Sequence, residues 1–63
     1  MNTRLLSENE VAQRLNVKPK LLRDWRHQKR GPDFLRLGRT VRYALEDIEE
    51  YISASAVRMG GRR

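Results

Sequence analysis

The side chains best equipped for chemistry in this chain are its arginines and lysines. Nine bases fall between residues 18 and 42 (Lys18, Lys20, Arg23, Arg26, Lys29, Arg30, Arg36, Arg39, Arg42) against Asp24 and Asp33, a net charge of +7. Groups of this kind bind anions. Arg offers a planar fork of donors suited to phosphate and to base edges, and Lys a compact point charge. The flanking segments do not share the excess. Residues 1–17 balance Arg4 and Arg14 against Glu8 and Glu10, while residues 43–53 hold Glu46, Asp47, Glu49 and Glu50 and no base. The whole chain carries 14 Lys+Arg and 8 Asp+Glu, which is +6 at pH 7. In so small a protein this points to an anionic partner, nucleic acid before membrane.

Other chemistries find no footing. There is no cysteine, so disulfides, thiol catalysis and Cys-based zinc sites are excluded. His27 is the one histidine and cannot form a metal cluster with others of its kind. The acids at 46–50 have no His beside them and read as a helix start. Neither G-x-G-x-x-G nor a P-loop pattern occurs. We therefore expect no enzyme, no cofactor and no metal. No apolar run approaches the roughly 18 residues of a membrane span, and the first residues lack the apolar core of a signal peptide. A cytoplasmic location is expected, with nucleoid association through DNA.

The elements that must position the bases can be read in turn. At 63 residues the chain holds one domain at most, and 38% apolar residues suffice for a small core. Ser7 with Glu10 three positions on is a capping box, and Leu6 suits a hydrophobic staple onto Val11. A first helix is expected from Glu8 to Leu15, with Val11, Ala12 and Leu15 on one stripe and Asn16 ending it in a left-handed turn. Pro19 opens a second helix, expected to reach Lys29 before Gly31-Pro32. Leu21, Leu22 and Trp25 form its apolar face, and Trp25 reads as core. Two short helices joined by a tight turn have helix-turn-helix spacing. Phe34–Leu37 and Val41–Tyr43 read as hairpin strands about a Gly38-Arg39-Thr40 turn, Leu35 and Leu37 sharing a face with Val41 and Tyr43, Arg36 and Arg42 facing out. A third helix follows on Leu45, Ile48, Tyr51 and Ile52. The domain should cover residues 1–53, with 54–63 a basic flexible tail.

Counted at about 100° per residue, Lys20, Arg23, His27 and Arg30 lie opposite the Leu21–Leu22–Trp25 stripe, flanked by Arg26 and Asp24. A solubilising face usually mixes signs, and this one has Asp24 alone against its bases and His27. A convex strip of long donors is what a helix in a DNA major groove needs. The hairpin carries Arg39 at its tip and Arg36 and Arg42 on its arms, a wing able to lie on the backbone or in the minor groove.

These residues resemble the small winged-helix excisionases and the related AlpA-like and MerR-like regulators. The resemblance covers about residues 5–52. Its carriers are the Ser7–Leu15 helix, Leu22-Arg23-x-Trp25-Arg26, Gly31-Pro32, Leu37-Gly38-Arg39-x-Val41-Arg42-Tyr43 and Glu46-Asp47-Ile48-x-x-Tyr51-Ile52. The resemblance implies an α+β winged helix-turn-helix. It puts Lys18, Lys20, Arg23, Arg26, His27 and Arg30 on the recognition helix, and Arg36, Arg39, Thr40 and Arg42 on the wing. The chain departs from the family at Lys18, Leu21 and Asp24, where a Ser or Thr cap, a Thr and a base are frequent.

Two roles follow. One is an excisionase that binds repeats beside an attachment site, bends the DNA and assists a tyrosine integrase alongside neighbouring copies. The other is a small transcriptional regulator. A chain this short favours the first, having no effector domain. A protein-only adaptor using the acidic third helix is a weaker third reading.

Overall fold

A computed structural model describes residues 4–57. Their order is β1 (Leu5–Leu6), α1 (Glu8–Leu15), α2 (Pro19–His27), β2 (Leu35–Leu37), β3 (Thr40–Ala44) and α3 (Leu45–Ser55). This is a small α+β winged helix-turn-helix, as the sequence implies.

The first helix starts as its sequence dictates. The Ser7 hydroxyl accepts from the Glu10 N–H at 3.1 Å, and the Glu10 carboxylate accepts from the Ser7 N–H at 2.8 Å. Two of the unpaired donors at the start of the helix are thereby satisfied. That backbone hydrogen bond from Ser7 is the main reason the Glu10 carboxyl is held below its ordinary value. Asn16, at φ 57°, ends α1 in the left-handed region. The Val17 N–H reaches back to the Ala12 carbonyl at 2.9 Å and the Asn16 N–H to the Gln13 carbonyl at 3.2 Å. Such a double closure turns the chain sharply, and Pro19 then opens α2 behind Lys18, whose side chain makes no cap bond.

Helix α2 stops at His27, two residues short of the expected Lys29. Lys29 itself is left-handed, φ 57°. Its N–H bonds the Arg26 carbonyl at 3.2 Å, and the Arg30 N–H bonds the Trp25 carbonyl at 2.9 Å. The same closure thus ends both helices, once on Asn and once on Lys. Gly31 follows at φ 86°, and a Cβ there would lie 2.7 Å from Trp25 Cε3.

The hairpin register corrects the expected faces. Leu35 pairs with Arg42, Arg36 with Val41 and Leu37 with Thr40, around a two-residue Gly38-Arg39 turn. Gly38 is at φ 64° while Arg39 is not at positive φ, the pattern of a type II′ hairpin turn. Residues directly opposite share a face. Leu35 and Leu37 therefore lie with Arg42 and Thr40 on the outer face, 40% and 50% exposed, and Arg36 lies on the side of Val41 and Tyr43. The expected turn took in Thr40, which is a strand residue. Moving the turn by one residue flips one arm relative to the other.

The strand β1 has no counterpart in the sequence reading. Leu5 pairs with Ala44 and Leu6 with Tyr43, giving an antiparallel sheet in the order β1-β3-β2. The Leu45 N–H adds a bond to the Arg4 carbonyl at 2.9 Å.

Leu6, Val11, Ala12, Leu22, Tyr43 and Ile48 form the core, with Leu15, Val17, Trp25, Phe34, Val41 and Leu45 packed around it. Leu6 and Val11 are both fully buried, consistent with the staple. Trp25 is half-buried, its ring 6.0 Å from Tyr51 at 54°. Leu21 and Ile52, expected on apolar stripes, are exposed at 36% and 47%. A core this small fully buries Leu22 of α2 and Ile48 of α3, and the edges of both stripes meet water. Helix α3 continues through Ser55. The rest of the expected tail from Arg58 onward lies outside the described residues.

Candidate nucleic-acid interface

Helix α2, its flanks and the β2–β3 hairpin carry every base of residues 18–42. Lys18, Lys20, Arg30, Arg36, Arg39 and Thr40 stand at the surface of these elements, as do Arg23 and His27 along α2. Arg26 and Arg42 are half-buried.

Two shallow concavities join the wing to the helices. One lies between the end of α2 and β2, lined by Arg26, Lys29, Arg30, Phe34 and Arg36 among others. The second lies between the start of α1 and β3, and its lining includes Glu8, Arg26, Arg39, Thr40 and Arg42. Arg26 borders both. Bases from the end of α2 and from the hairpin thus meet in both concavities of this surface.

Within that surface the bases are held differently. Lys20 Nζ lies 2.9 Å from Asp24 Oδ2, one helical turn on. Both side chains are well exposed, so this pair is worth at most about 0.5 kcal/mol and gives way readily to a phosphate. His27 Nδ1 lies 2.9 Å from the Arg23 carbonyl. The carbonyl only accepts, so Nδ1 carries the proton and Nε2 is the outer nitrogen of the ring. Arg42 Nη1 donates to its neighbour's carbonyl, Val41 O, at 2.8 Å.

Arg23 and Arg26 converge on one carboxylate. Arg23 Nη1 donates to Glu8 Oε2 at 2.7 Å and Arg26 Nη1 to Glu8 Oε1 at 2.9 Å. Arg26 Nη1 also donates to the buried Tyr43 hydroxyl at 2.9 Å, and its guanidinium sits 5.8 Å from the Phe34 ring centre. Burial alone would lower the Arg26 pKa, but the bonds to Tyr43 and Glu8 outweigh it and the net shift is upward. Its side chain is 15% exposed, against 52% for Arg23. Arg26 thus ties α2 to α1 and β3, while Arg23 keeps half its surface in solvent. Arg36 lies 5.7 Å from the same Phe34 ring centre, so one ring is shared by two guanidinium groups.

Sequence reasoning missed Glu8, the Tyr43 hydroxyl and Phe34 as partners of these arginines. Glu8 stands 15 and 18 positions from its arginine partners. No local periodicity pairs residues so far apart. The aromatic pattern around Tyr43 signalled core, which it is, and gave no sign of the hydroxyl's partner.

A family model described as Helix-turn-helix domain matches residues 5–56. The chain belongs to this helix-turn-helix family. It is a DNA-binding family that includes excisionase-like and AlpA-type proteins. No curated protein and no solved structure matches significantly. The helix-turn-helix is α1 and α2 with the turn at Asn16–Lys18, and the match extends through the wing into α3. Among the described residues no helix is long and apolar enough to cross a membrane, and no group of three or more His, Asp or Glu could hold a metal ion.

Proposed function

We propose that this helix-turn-helix protein binds double-stranded DNA sequence-specifically, with α2 in the major groove and the β2–β3 wing on the adjacent backbone or minor groove. The observation that carries the reading is the surface of nearly one sign on α2 and the wing of a helix-turn-helix domain. Lys18, Lys20, Arg23, His27 and Arg30 are the helix contacts, and Arg36, Arg39, Thr40 and Arg42 those of the wing. Arg26 acts from behind, fixing α2 against α1 and β3. Its remaining donors reach a phosphate at most.

The role we assign is that of an excisionase in the cytoplasm. It binds attachment-site repeats, bends the DNA and helps a tyrosine integrase remove a phage or mobile element, acting beside neighbouring copies and breaking no bond itself. A module this size buries roughly 600–1,000 Å² on DNA, so occupancy gains from adjacent copies. The resemblance of residues 5–52 and the membership of excisionase-like proteins in the family support this role. A small AlpA- or MerR-like transcriptional regulator is the second reading, supported by the same membership.

Selection of bound duplexes from a random pool at about 150 mM salt, a concentration that suppresses non-specific phosphate binding, separates these readings. Tandem repeats filled cooperatively, with the gel mobility of bent DNA, support the excisionase. An inverted repeat supports the regulator. A pool with no enrichment overturns specific recognition. On the enriched site, Arg23→Ala should cost about 1–3 kcal/mol and relax specificity locally.

A further inference from the structure

We infer that Glu8 sets how selectively this surface reads DNA, by holding Arg23 in one orientation and opposing indiscriminate phosphate binding. The inference rests on the DNA-binding reading and deepens it.

Glu8 lies in the first turn of α1, a position that the helix dipole alone would favour for an acid. The dipole does not account for its two arginines. One oxygen, Oε1, is clamped from within by Arg26, which is itself fixed by the buried Tyr43 hydroxyl. The other, Oε2, takes Arg23 Nη1 at 2.7 Å. The carboxylate is therefore anchored on its inner side, with its side chain 20% exposed, and it anchors a guanidinium on its outer side. Arg23 is 52% exposed, and Nη1 is where Glu8 holds it. The Nε–Nη2 edge, two parallel donors, matches the O6 and N7 acceptors of guanine. An untethered arginine sweeps a wide arc and finds any phosphate within it. A tethered one presents its edge to one place.

The charge of Glu8 acts in the same sense. Glu8 is the acid lining the concavity that Arg26, Arg39 and Arg42 also line. A fixed negative charge there weakens attraction to every DNA backbone. The loss is recovered where Arg23 meets its base. Discrimination between partners comes from such repulsion as well as from contacts.

The test compares the full chain with its Glu8→Gln, Glu8→Asp and Tyr43→Phe variants. Each is titrated by fluorescence anisotropy with the duplex enriched by the wild type and with a scrambled duplex of equal length. Circular dichroism melts run alongside. Glu8→Gln should bind the scrambled duplex more tightly and lose about tenfold in the ratio of the two affinities, in the range of one misread base pair. Tyr43→Phe removes one partner of Arg26 and leaves both arginine bonds to Glu8 in place; it should lower the melting temperature and keep the ratio. A ratio unchanged in folded Glu8→Gln overturns the proposal and leaves the DNA reading standing. If Glu8→Gln does not fold, Glu8→Asp decides. Its carboxylate is retracted by one methylene, so a lowered ratio supports the proposal and an unchanged one overturns it. A wild type that binds both duplexes alike overturns the DNA reading and this proposal with it.

Discussion

Arg23 and Arg26 sit on the same short helix, share one carboxylate, and still have different work. Arg26 is 15% exposed and satisfies Glu8 and Tyr43 together. Replacing it with Met keeps much of the volume but leaves Glu8 with Arg23 alone and removes the donor to a buried hydroxyl. Charged hydrogen bonds of this kind contribute about 1.5–3 kcal/mol, so Arg26→Met should lose about 2 kcal/mol in urea unfolding. Arg23→Ala, at 52% exposure, should stay within about 0.5 kcal/mol. Equal losses would contradict this division of labour. Lys29 presents a different residue-scale effect. A side chain at φ 57° carries a strain of about 1–2 kcal/mol, and Lys29→Gly should recover about 1 kcal/mol of it.

The capping box, the Asn16 turn and the Pro19 start were all legible because each is decided by neighbours within a few positions. The hairpin faces were not. Its register turns on whether Thr40 belongs to the turn or to β3, a choice of one residue that local propensity leaves open. The observed pairing places Tyr43 inside and Leu37 outside. Leu37→Thr should therefore change stability by no more than about 0.5 kcal/mol, while Tyr43→Ala should cost about 3–5 kcal/mol. The strand β1 was missed because two leucines carry no period, and they are held by pairing with Tyr43 and Ala44, far along the chain. Glu10 gives an element-scale pH dependence. Its folded pKa is depressed, so the stability it lends α1 is present above the ordinary carboxylate range and is lost as pH falls through the lowered value. Glu10→Gln should flatten that part of the acid unfolding curve. At the other end of the helical pair, Gly31→Ala would drive a Cβ to 2.7 Å from Trp25 at a φ of 86°. It should destabilise by about 2 kcal/mol or more.

At the scale of the molecule, charge separates along the fold. The bases of residues 18–42 cover α2 and the wing, and the acids of residues 46–50 fall on α3. The existence of that cationic surface was legible in the linear sequence, because nine bases in 25 residues have few places to hide. Its internal wiring was not, because Glu8 reaches it only through the packing of α1 on α2. The salt dependence of DNA binding scales with the number of phosphates that the protein neutralises, at about one unit of slope for each. Arg39→Ala should accordingly weaken binding to all duplexes alike and flatten the slope by about one unit, and an unchanged affinity would contradict the placement of the wing.

The most direct measurement is a map of the DNA-bound surface. Backbone amides and arginine side chains of the isotope-labelled protein would be followed by nuclear magnetic resonance as a selected duplex is added. The largest shifts should fall along α2 from Lys18 to Arg30 and on the hairpin from Arg36 to Arg42, with α3 little changed. Shifts confined to α3 would contradict recognition by α2 and the wing, and would return the acidic helix as the working face.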